Sequence, residues 1–307
     1  MLNLIKKYKF LLIIFSLLLI TTICFTTIKT NYDAYLPGEI SRVSNVVEIS
    51  KDDSSENYYS TSVYYVEKIT LFQKLVFSNI KDASIYKRSE VITSEIDRLQ
   101  GEIEHNSAIF TSIISAYDAA NVSLDYTYKG IYVYYTNSKV LNVGDVVLGA
   151  NKEEVENNLK SDEVKILRDN EETTVKLNSG DKVVLDYPYY VINNSDIKIY
   201  YSNNGGPSAG LMQALKLYDD LVDDNYLANM KIAGTGTIDE YGNVGAIGCI
   251  DLKIYTAMYN NCDIFFIPEE NKAEAQEALK KIDTKMTIIY VSTLDEAIDA
   301  LRSFNND

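Results

Sequence analysis

Residues 203–212 read Asn-Asn-Gly-Gly-Pro-Ser-Ala-Gly-Leu-Met, and this stretch joins a predicted strand to a predicted helix. Its glycines let backbones approach closely, and Pro207 suits the first turn of a helix, where its missing N–H costs nothing. Ser208 therefore lies where backbone N–H groups and the helix dipole could stabilise an oxyanion on an attacked carbonyl. A tight glycine turn capped by a serine explains the stretch equally well at this point.

A serine nucleophile needs a base, and the sequence contains one histidine, His105, which lies 103 residues before Ser208. His105 falls beside Glu102 and Glu104 in a predicted helix, and we expect it on a solvated, charged face. A Ser/His/Asp arrangement is therefore not predicted. A lysine can replace the histidine when burial lowers the lysine pKa, because its neutral amine then accepts the hydroxyl proton.

Lys253 is the candidate for this base. Residues 233–248 read AGTGTIDEYGNVGAIG and predict a strand, a turn and a second glycine-rich strand, and a helix is predicted over 251–259. Lys253 lies in the first turn of that helix, where its neighbours Ile250, Leu252, Ile254 and Ala257 are apolar. This setting favours a lowered pKa, although a solvated helix lysine is the simpler interpretation of the local pattern.

The C-terminal part, residues 179–307, alternates strands and helices, which indicates α/β or α+β layering, and we predict an α+β fold. A strand is predicted over 230–238, and helices are predicted over 207–221, 251–259, 272–282 and 293–304. Upstream, a helix is predicted over 89–120, broken near Asn106. A solvated acidic loop is predicted for Asp219, Asp220, Asp223 and Asp224.

The motif GGPSAGLM is followed, 45 residues after Ser208, by the lysine of GTGTIDEYGNVGAIGCIDLK and then by CDIFFIPEEN. This combination resembles the proteolytic domain of Lon, and the whole layout is similar to the membrane-anchored PDZ–Lon proteins of Gram-positive bacteria (YlbL type). The resemblance implies a catalytic Ser–Lys dyad of Ser208 and Lys253, with Thr235 orienting the amine and Gly206 shaping the oxyanion pocket. It also implies a homo-oligomeric ring. Cys249 stands where the family usually has a glycine.

Residues 106–178 are predicted to form a separate β-rich module. A strand over 130–135, a turn at Gly144–Asp145 that leads into another strand, a short helix and a hairpin follow one another. This order resembles a bacterial PDZ domain, which binds an extended peptide as an added strand. The resemblance makes Gly130, Ile131, Tyr132 and Val133 the peptide-binding strand. An inert structural module is the alternative.

Residues 1–30 are predicted to form a cytoplasmic tip and a transmembrane anchor. Lys6, Lys7 and Lys9 precede Phe10–Ile28, which contains no charged residue. About 20 apolar residues cross a bilayer, and the basic flank stays in the cytoplasm. The catalytic part is then extracytoplasmic, and a cleaved signal peptide is the alternative. Residues 31–105 are predicted as a juxtamembrane β/helical segment.

Composition excludes several functions. The net charge of −15 argues against nucleic-acid binding, which needs a basic surface. Three cysteines and one histidine are too few for a disulfide scaffold or a Cys/His zinc site. We therefore expect no metal and no cofactor. We also expect Cys249 and Cys262 to be free thiols. The sequence contains no GxxxxGK[ST] phosphate loop, so no ATP is expected.

Together these features predict an ATP-independent, membrane-anchored serine endopeptidase outside the cytoplasm. Its substrates would be extended or partly unfolded polypeptides, docked by the PDZ-like module. The alternative is a catalytically silent PDZ–Lon scaffold that binds protein partners of the cell envelope.

Overall fold

A computed structural model describes residues 2–50, 56–88, 94–200, 205–222 and 229–304. The chain divides into two compact units, the first made of Met1–Gly38 with Val63–Val91 and the second of Glu39–Ser62 with Ile92–Asp307. The fold is mixed α+β, which confirms the predicted class.

The helices are α1 (Leu2–Thr27), α2 (Leu71–Phe77), α3 (Ser94–Ala119), α4 (Lys152–Leu159), α5 (Gly210–Val222), α6 (Ile250–Tyr259), α7 (Lys272–Leu279) and α8 (Leu294–Phe304). The strands are β1 (Tyr32–Arg42), β2 (Val47–Ile49), β3 (Tyr58–Val66), β4 (Ser84–Lys87), β5 (Tyr126–Thr136), β6 (Val146–Leu148), β7 (Val164–Arg168), β8 (Glu171–Val175), β9 (Val183–Ile192), β10 (Ile197–Ile199), β11 (Ile232–Gly234), β12 (Thr237–Ile238), β13 (Val244–Gly245), β14 (Ile264–Pro268) and β15 (Thr287–Val291).

The first unit contains one long apolar helix. Within α1, residues Tyr8–Thr27 have a mean hydropathy of 2.5 over 20 residues, and none of this segment is buried within the protein. A helix of this length and composition near the N-terminus fits either a membrane span or a signal sequence. In the same unit β1 pairs antiparallel with β4. A reciprocal capping box between Thr70 and Gln73 starts α2.

The second unit contains a parallel arrangement of strands in the order β15, β14, β11 and β3. Helix α6 connects β11 to β14 through the β12–β13 hairpin, and α7 connects β14 to β15. Crossover helices of this kind are what parallel strands require. Strand β14 is buried along its whole length, as expected for a strand in the middle of a layered α/β arrangement.

Residues predicted as a separate juxtamembrane segment contribute to this second unit. Strand β3 pairs in parallel with β11, with Tyr58 opposite Ile232, and β2 pairs antiparallel with β10. The buried side chains of Val47, Ile49 and Tyr58 join the core formed by α3 and α5. Part of residues 31–105 is therefore built into the same core as the C-terminal part of the chain.

Helix α3 is continuous from Ser94 to Ala119, so the predicted break near Asn106 is wrong. Ile109 and Ile113 pack in one core with Leu211 and Leu215 of α5. The Thr111 hydroxyl also donates to the carbonyl of Ile238, at 2.9 Å. Because residues 107–117 of α3 are all buried, packing holds the helix together where local sequence suggested a break.

The β-rich module is a five-stranded antiparallel sheet with the order β8, β7, β6, β5 and β9. Its small core includes Val133, Val147, Val155 of α4 and Ile166. The boundary predicted at residue 178 falls before β9, which pairs with β5 along most of its length.

Candidate active site

Ser208 lies in the turn directly before α5 and is partly exposed. Its carbonyl oxygen accepts hydrogen bonds from the Gly236 amide at 2.8 Å and from the Thr235 hydroxyl at 3.1 Å. The Leu211 amide, one residue into α5, donates back to the Gly236 carbonyl at 3.1 Å. The serine turn is therefore fastened to the segment that links β11 to β12.

Thr235 connects this turn to Lys253. The lysine Nζ donates to Thr235 Oγ1 at 3.1 Å, and the same hydroxyl donates to the Ser208 carbonyl. Thr235 is fully buried, and its amide donates to the Phe266 carbonyl of β14 at 3.0 Å. Because the sheet holds Thr235 in place, its hydroxyl is a fixed point between the lysine amine and the serine backbone.

Burial makes Lys253 a candidate base. The residue is 5% exposed, and this desolvation lowers its pKa to about 8, with an opposing electrostatic effect from Cys249. Within the described parts of the chain, no carboxylate forms an ion pair with it. An amine with this pKa is neutral in a useful fraction of molecules at neutral pH, as general-base chemistry requires.

Cys249 takes the conformation that a glycine would take without strain. Its φ of 56° and ψ of 41° lie in the left-handed region, which costs a residue with a Cβ about 1 kcal/mol. Its carbonyl nevertheless accepts the Lys253 amide at 3.1 Å, so α6 starts regularly. Burial raises the pKa of the Cys249 thiol. Cys249 and Cys262 are both free, as predicted.

Gly206 has a φ of 91°, and its amide donates to the Gly101 carbonyl of α3 at 2.9 Å. The Gly206 N–H is therefore already used in a hydrogen bond. Gly206 can influence an oxyanion pocket through the path of the backbone and not as a free donor.

The prediction that His105 lies on a solvated face is wrong. The residue is 4% exposed; this burial lowers its pKa, and a hydrogen bond to the Gly206 backbone opposes the lowering. One sequence signal was missed: Gly101 stands four residues before His105 inside a helix. A glycine there costs roughly 1 kcal/mol relative to alanine, which indicates that another backbone approaches closely.

The acidic residues after the serine helix also differ from expectation. Asp219 and Asp220 are buried, and Asp220 forms an ion pair with the fully buried Lys216 of α5. Asp223 and Asp224 lie outside the described residues. The i, i+4 spacing of Lys216 and Asp220 on a helix allows this pair to form.

One cavity lies beside the serine turn, and a second adjoins it. A cleft of about 400 Å³ is lined by Pro207, the β12–β13 hairpin and four carboxylate residues, Glu104, Asp239, Glu240 and Glu270. A larger cavity of about 940 Å³ is rich in tyrosines and also lined by Glu240, with Tyr187 and Pro188 of β9 common to both. The two cavities therefore adjoin at β9.

Gly130, Ile131, Tyr132 and Val133 lie in β5, an interior strand of the five-stranded sheet. Strand β5 pairs with β6 on one side and with β9 on the other, and Gly130 has a partner in each. Peptide binding by strand addition needs a free edge. This predicted binding mode does not fit the pairing at these four residues.

Comparisons with known proteins find similarity to one protease family over part of the chain. Residues 181–303 match the family model of the Lon protease (S16) C-terminal proteolytic domain. The class defined by this domain indicates serine peptidase activity. The matched region includes Ser208, Thr235 and Lys253, whereas α3 lies outside it.

Individual relatives agree with the family match. The chain is similar to the Lon protease of Clostridioides difficile (strain 630), with 31% identity over 123 residues, which is 39% of this chain and 15% of that protein. It is similar to the Lon protease of Wolbachia pipientis subsp. Culex pipiens (strain wPip), with 28% identity over 109 residues, 34% of this chain and 13% of that protein. A third is the Lon protease of Aster yellows witches'-broom phytoplasma (strain AYWB), with 32% identity over 91 residues, 30% of this chain and 11% of that protein. The chain thus spans a minor part of the length of these relatives.

Proposed function

We propose that this protein is an ATP-independent, membrane-anchored serine endopeptidase in which Ser208 and Lys253 form the catalytic dyad. The observation that carries the proposal is the buried Lys253 amine, hydrogen-bonded to the Thr235 hydroxyl that also holds the Ser208 carbonyl. The region around these residues matches the Lon proteolytic domain. A buried lysine beside a serine turn supplies the base that the sequence otherwise lacks.

In the proposed mechanism, the neutral Lys253 amine removes the proton from Ser208 Oγ as this oxygen attacks the substrate carbonyl. The negative charge develops on the carbonyl oxygen in a pocket shaped by the Gly206 turn. Protonated Lys253 then gives its proton to the departing amine. Water, deprotonated by Lys253, releases the acyl-enzyme and restores the serine hydroxyl.

The proposed substrates are extended or partly unfolded polypeptides. The 400 Å³ cleft next to Pro207 accepts a strand or a side chain but not a folded domain. Among the described residues, its lining contains four carboxylates and neither lysine nor arginine, so we expect faster cleavage of segments that carry lysine or arginine near the scissile bond. No phosphate-loop motif in the sequence offers a site for nucleotide-driven unfolding.

The PDZ-like module is proposed to help dock the substrate. Because β5 has no free edge, we place docking at the larger cavity, where Tyr126 and Tyr128 of the module line the wall. Tyrosines present apolar area together with a polar group and suit polypeptide contacts.

The anchor is proposed to be Tyr8–Thr27, with Lys6 and Lys7 on the cytoplasmic side and the catalytic residues outside. A homo-oligomeric ring is proposed from the resemblance to Lon. Sedimentation of the detergent-solubilised chain tests the ring, and accessibility of the catalytic part to added protease in intact cells and in lysed cells tests the topology.

The experiment for the activity uses the full chain in detergent with fluorescein-labelled β-casein and no nucleotide. We expect cleavage by the wild type and its loss in Ser208→Ala and in Lys253→Met. The exposed residues Ser303 and Lys280 provide matched controls, Ser303→Ala and Lys280→Met, which should cleave as the wild type does.

Cleavage that persists in folded Ser208→Ala would refute the mechanism. A wild type that is folded and oligomeric, yet neither cleaves casein nor reacts with a fluorophosphonate probe, would favour the silent scaffold.

A further inference from the structure

Helix α3 touches the serine turn although it lies outside the region that matches the Lon domain. Two of its residues, one helical turn apart, meet the same glycine pair before Ser208. The Gly101 carbonyl accepts the Gly206 amide at 2.9 Å, and the His105 imidazole lies against the Gly206 backbone, where a hydrogen bond opposes the lowering of the His105 pKa by burial. The spacing of four residues places Gly101 and His105 on one face of the helix.

The contact at Gly101 is between backbones. A Cβ added at Gly101 would lie 3.3 Å from Gly205 Cα, and a Cβ added at Gly205 would lie 3.4 Å from Gly101 Cα. A side chain at Gly101 would therefore require the turn to shift by a few tenths of an ångström. This close approach explains a glycine in the interior of a 26-residue helix, where alanine would stabilise the helix more.

The two hydrogen bonds act on different peptide planes. The Gly206 N–H belongs to the plane between Gly205 and Gly206, and the Gly206 carbonyl belongs to the plane between Gly206 and Pro207. Gly206 has a φ of 91°. Because it lacks a Cβ, its backbone can rotate more freely than that of other residues. Fixing the plane on each side of it removes this freedom directly before Ser208.

His105 keeps one protonation state in this contact at physiological pH. It is 4% exposed, and its burial lowers its pKa, so the ring is neutral at physiological pH and donates a single proton. Within the described residues its Nε2 has no hydrogen-bond partner. A buried polar atom without a partner costs stability, and a well-packed apolar residue would not carry this cost.

We propose that Gly101 and His105 form a positioning clamp (the α3 clamp) that sets the backbone of the Gly205–Gly206 turn and, through it, the oxyanion pocket beside Ser208. This inference rests on the proposed peptidase function. The clamp residues touch neither substrate nor reacting atoms, so they act on catalysis through the turn alone.

The test compares three variants of the full chain in detergent. His105→Phe fills the space without a donor, His105→Gln retains an N–H donor, and Gly101→Ala separates the two backbones. The control is Ile109→Val, a core change one turn further along α3. Labelled β-casein gives kcat and KM, and hydrogen exchange reports the amides of residues 205–209.

We expect His105→Phe and Gly101→Ala to lower kcat about 10- to 100-fold with little change in KM, because a misplaced oxyanion pocket weakens transition-state stabilisation. Amide exchange at residues 205–209 should become faster. His105→Gln should recover most of kcat, and Ile109→Val should change neither quantity.

Wild-type kcat and exchange in His105→Phe would overturn the clamp. Equal losses in His105→Phe and His105→Gln, or a matching loss in Ile109→Val, would also overturn it, because packing alone would then explain the effect. A wild type that does not cleave casein counts against the proposed function, whereas the exchange measurement still decides whether the clamp holds the turn.

Discussion

The pH dependence of serine acylation tests the buried lysine most directly. With a pKa of about 8 for Lys253, about 9% of the molecules carry a neutral amine at pH 7 and about half at pH 8. An exposed lysine with a pKa of 10.5 would be neutral in only about 0.03% at pH 7. Burial therefore increases the reactive form about 300-fold.

The assay follows the rate at which a fluorophosphonate labels Ser208 in the full chain between pH 6 and pH 9.5. The rate should rise about tenfold per pH unit below pH 8 and level off above it. Lys253→Met should lower the rate about 10²- to 10⁴-fold and remove this rise. The single histidine does not imitate the profile, since burial lowers the pKa of His105 from its ordinary value of 6.5.

The same lysine affects stability. Its pKa is lower in the folded chain than in the unfolded chain, so the unfolded state binds more protons between about pH 8 and 10.5, and stability rises with pH across that window. Below pH 8 the cost of burying the charge is fully present, and Lys253→Met should then stabilise the chain by about 3 kcal/mol.

A labelling midpoint near 10.5, a flat profile, or the same profile in Lys253→Met would refute the reasoning.

Three further predictions concern neighbouring residues. Thr235→Val should lower casein kcat about 10- to 100-fold because the Lys253 amine loses its partner, and Thr235→Ser should restore it; equal activity of both variants would contradict this. Cys249→Gly should stabilise the chain by about 0.5–1 kcal/mol in urea unfolding, since glycine adopts the left-handed conformation without strain; Cys249→Ala, which keeps a Cβ, is the control and should show no such gain. Lys216→Met leaves Asp220 buried without this cation and should cost about 3–5 kcal/mol, whereas loss of less than 1 kcal/mol in thermal unfolding would show that the pair is unimportant.

Local sequence signals were sufficient for several parts of the fold. Pro207 and the glycines around it predicted the turn before α5, and Thr293, whose hydroxyl accepts the Glu296 amide at 3.2 Å, marked the start of α8. The alternation of strands and helices after residue 179 predicted the α+β class. These signals work because caps, turns and periodicity depend on residues within a few positions of one another.

Sheet neighbours could not be predicted in this way. Strand β3 pairs with β11 although about 170 residues separate Tyr58 from Ile232, and β5 lies between β6 and β9. No local pattern states which strand lies at an edge, because edge and central strands of short antiparallel sheets share the same alternation. The choice of Gly130–Val133 as a peptide groove failed to fit the structure for this reason.

The sequence by itself determined the chemistry that is available: one serine in a glycine turn, one distant lysine in an apolar setting, and a histidine without a recognisable triad. Tertiary structure alone decided that the Thr235 hydroxyl, which the resemblance had placed beside the lysine amine, also holds the Ser208 carbonyl, and that α3 brings Gly101 and His105 against Gly206. The physical reason is that burial and hydrogen-bond partners depend on which elements pack together. Packing changed His105 from an expected solvated residue into a buried donor, and it lowered the pKa of Lys253 toward the range in which a lysine can act as a base.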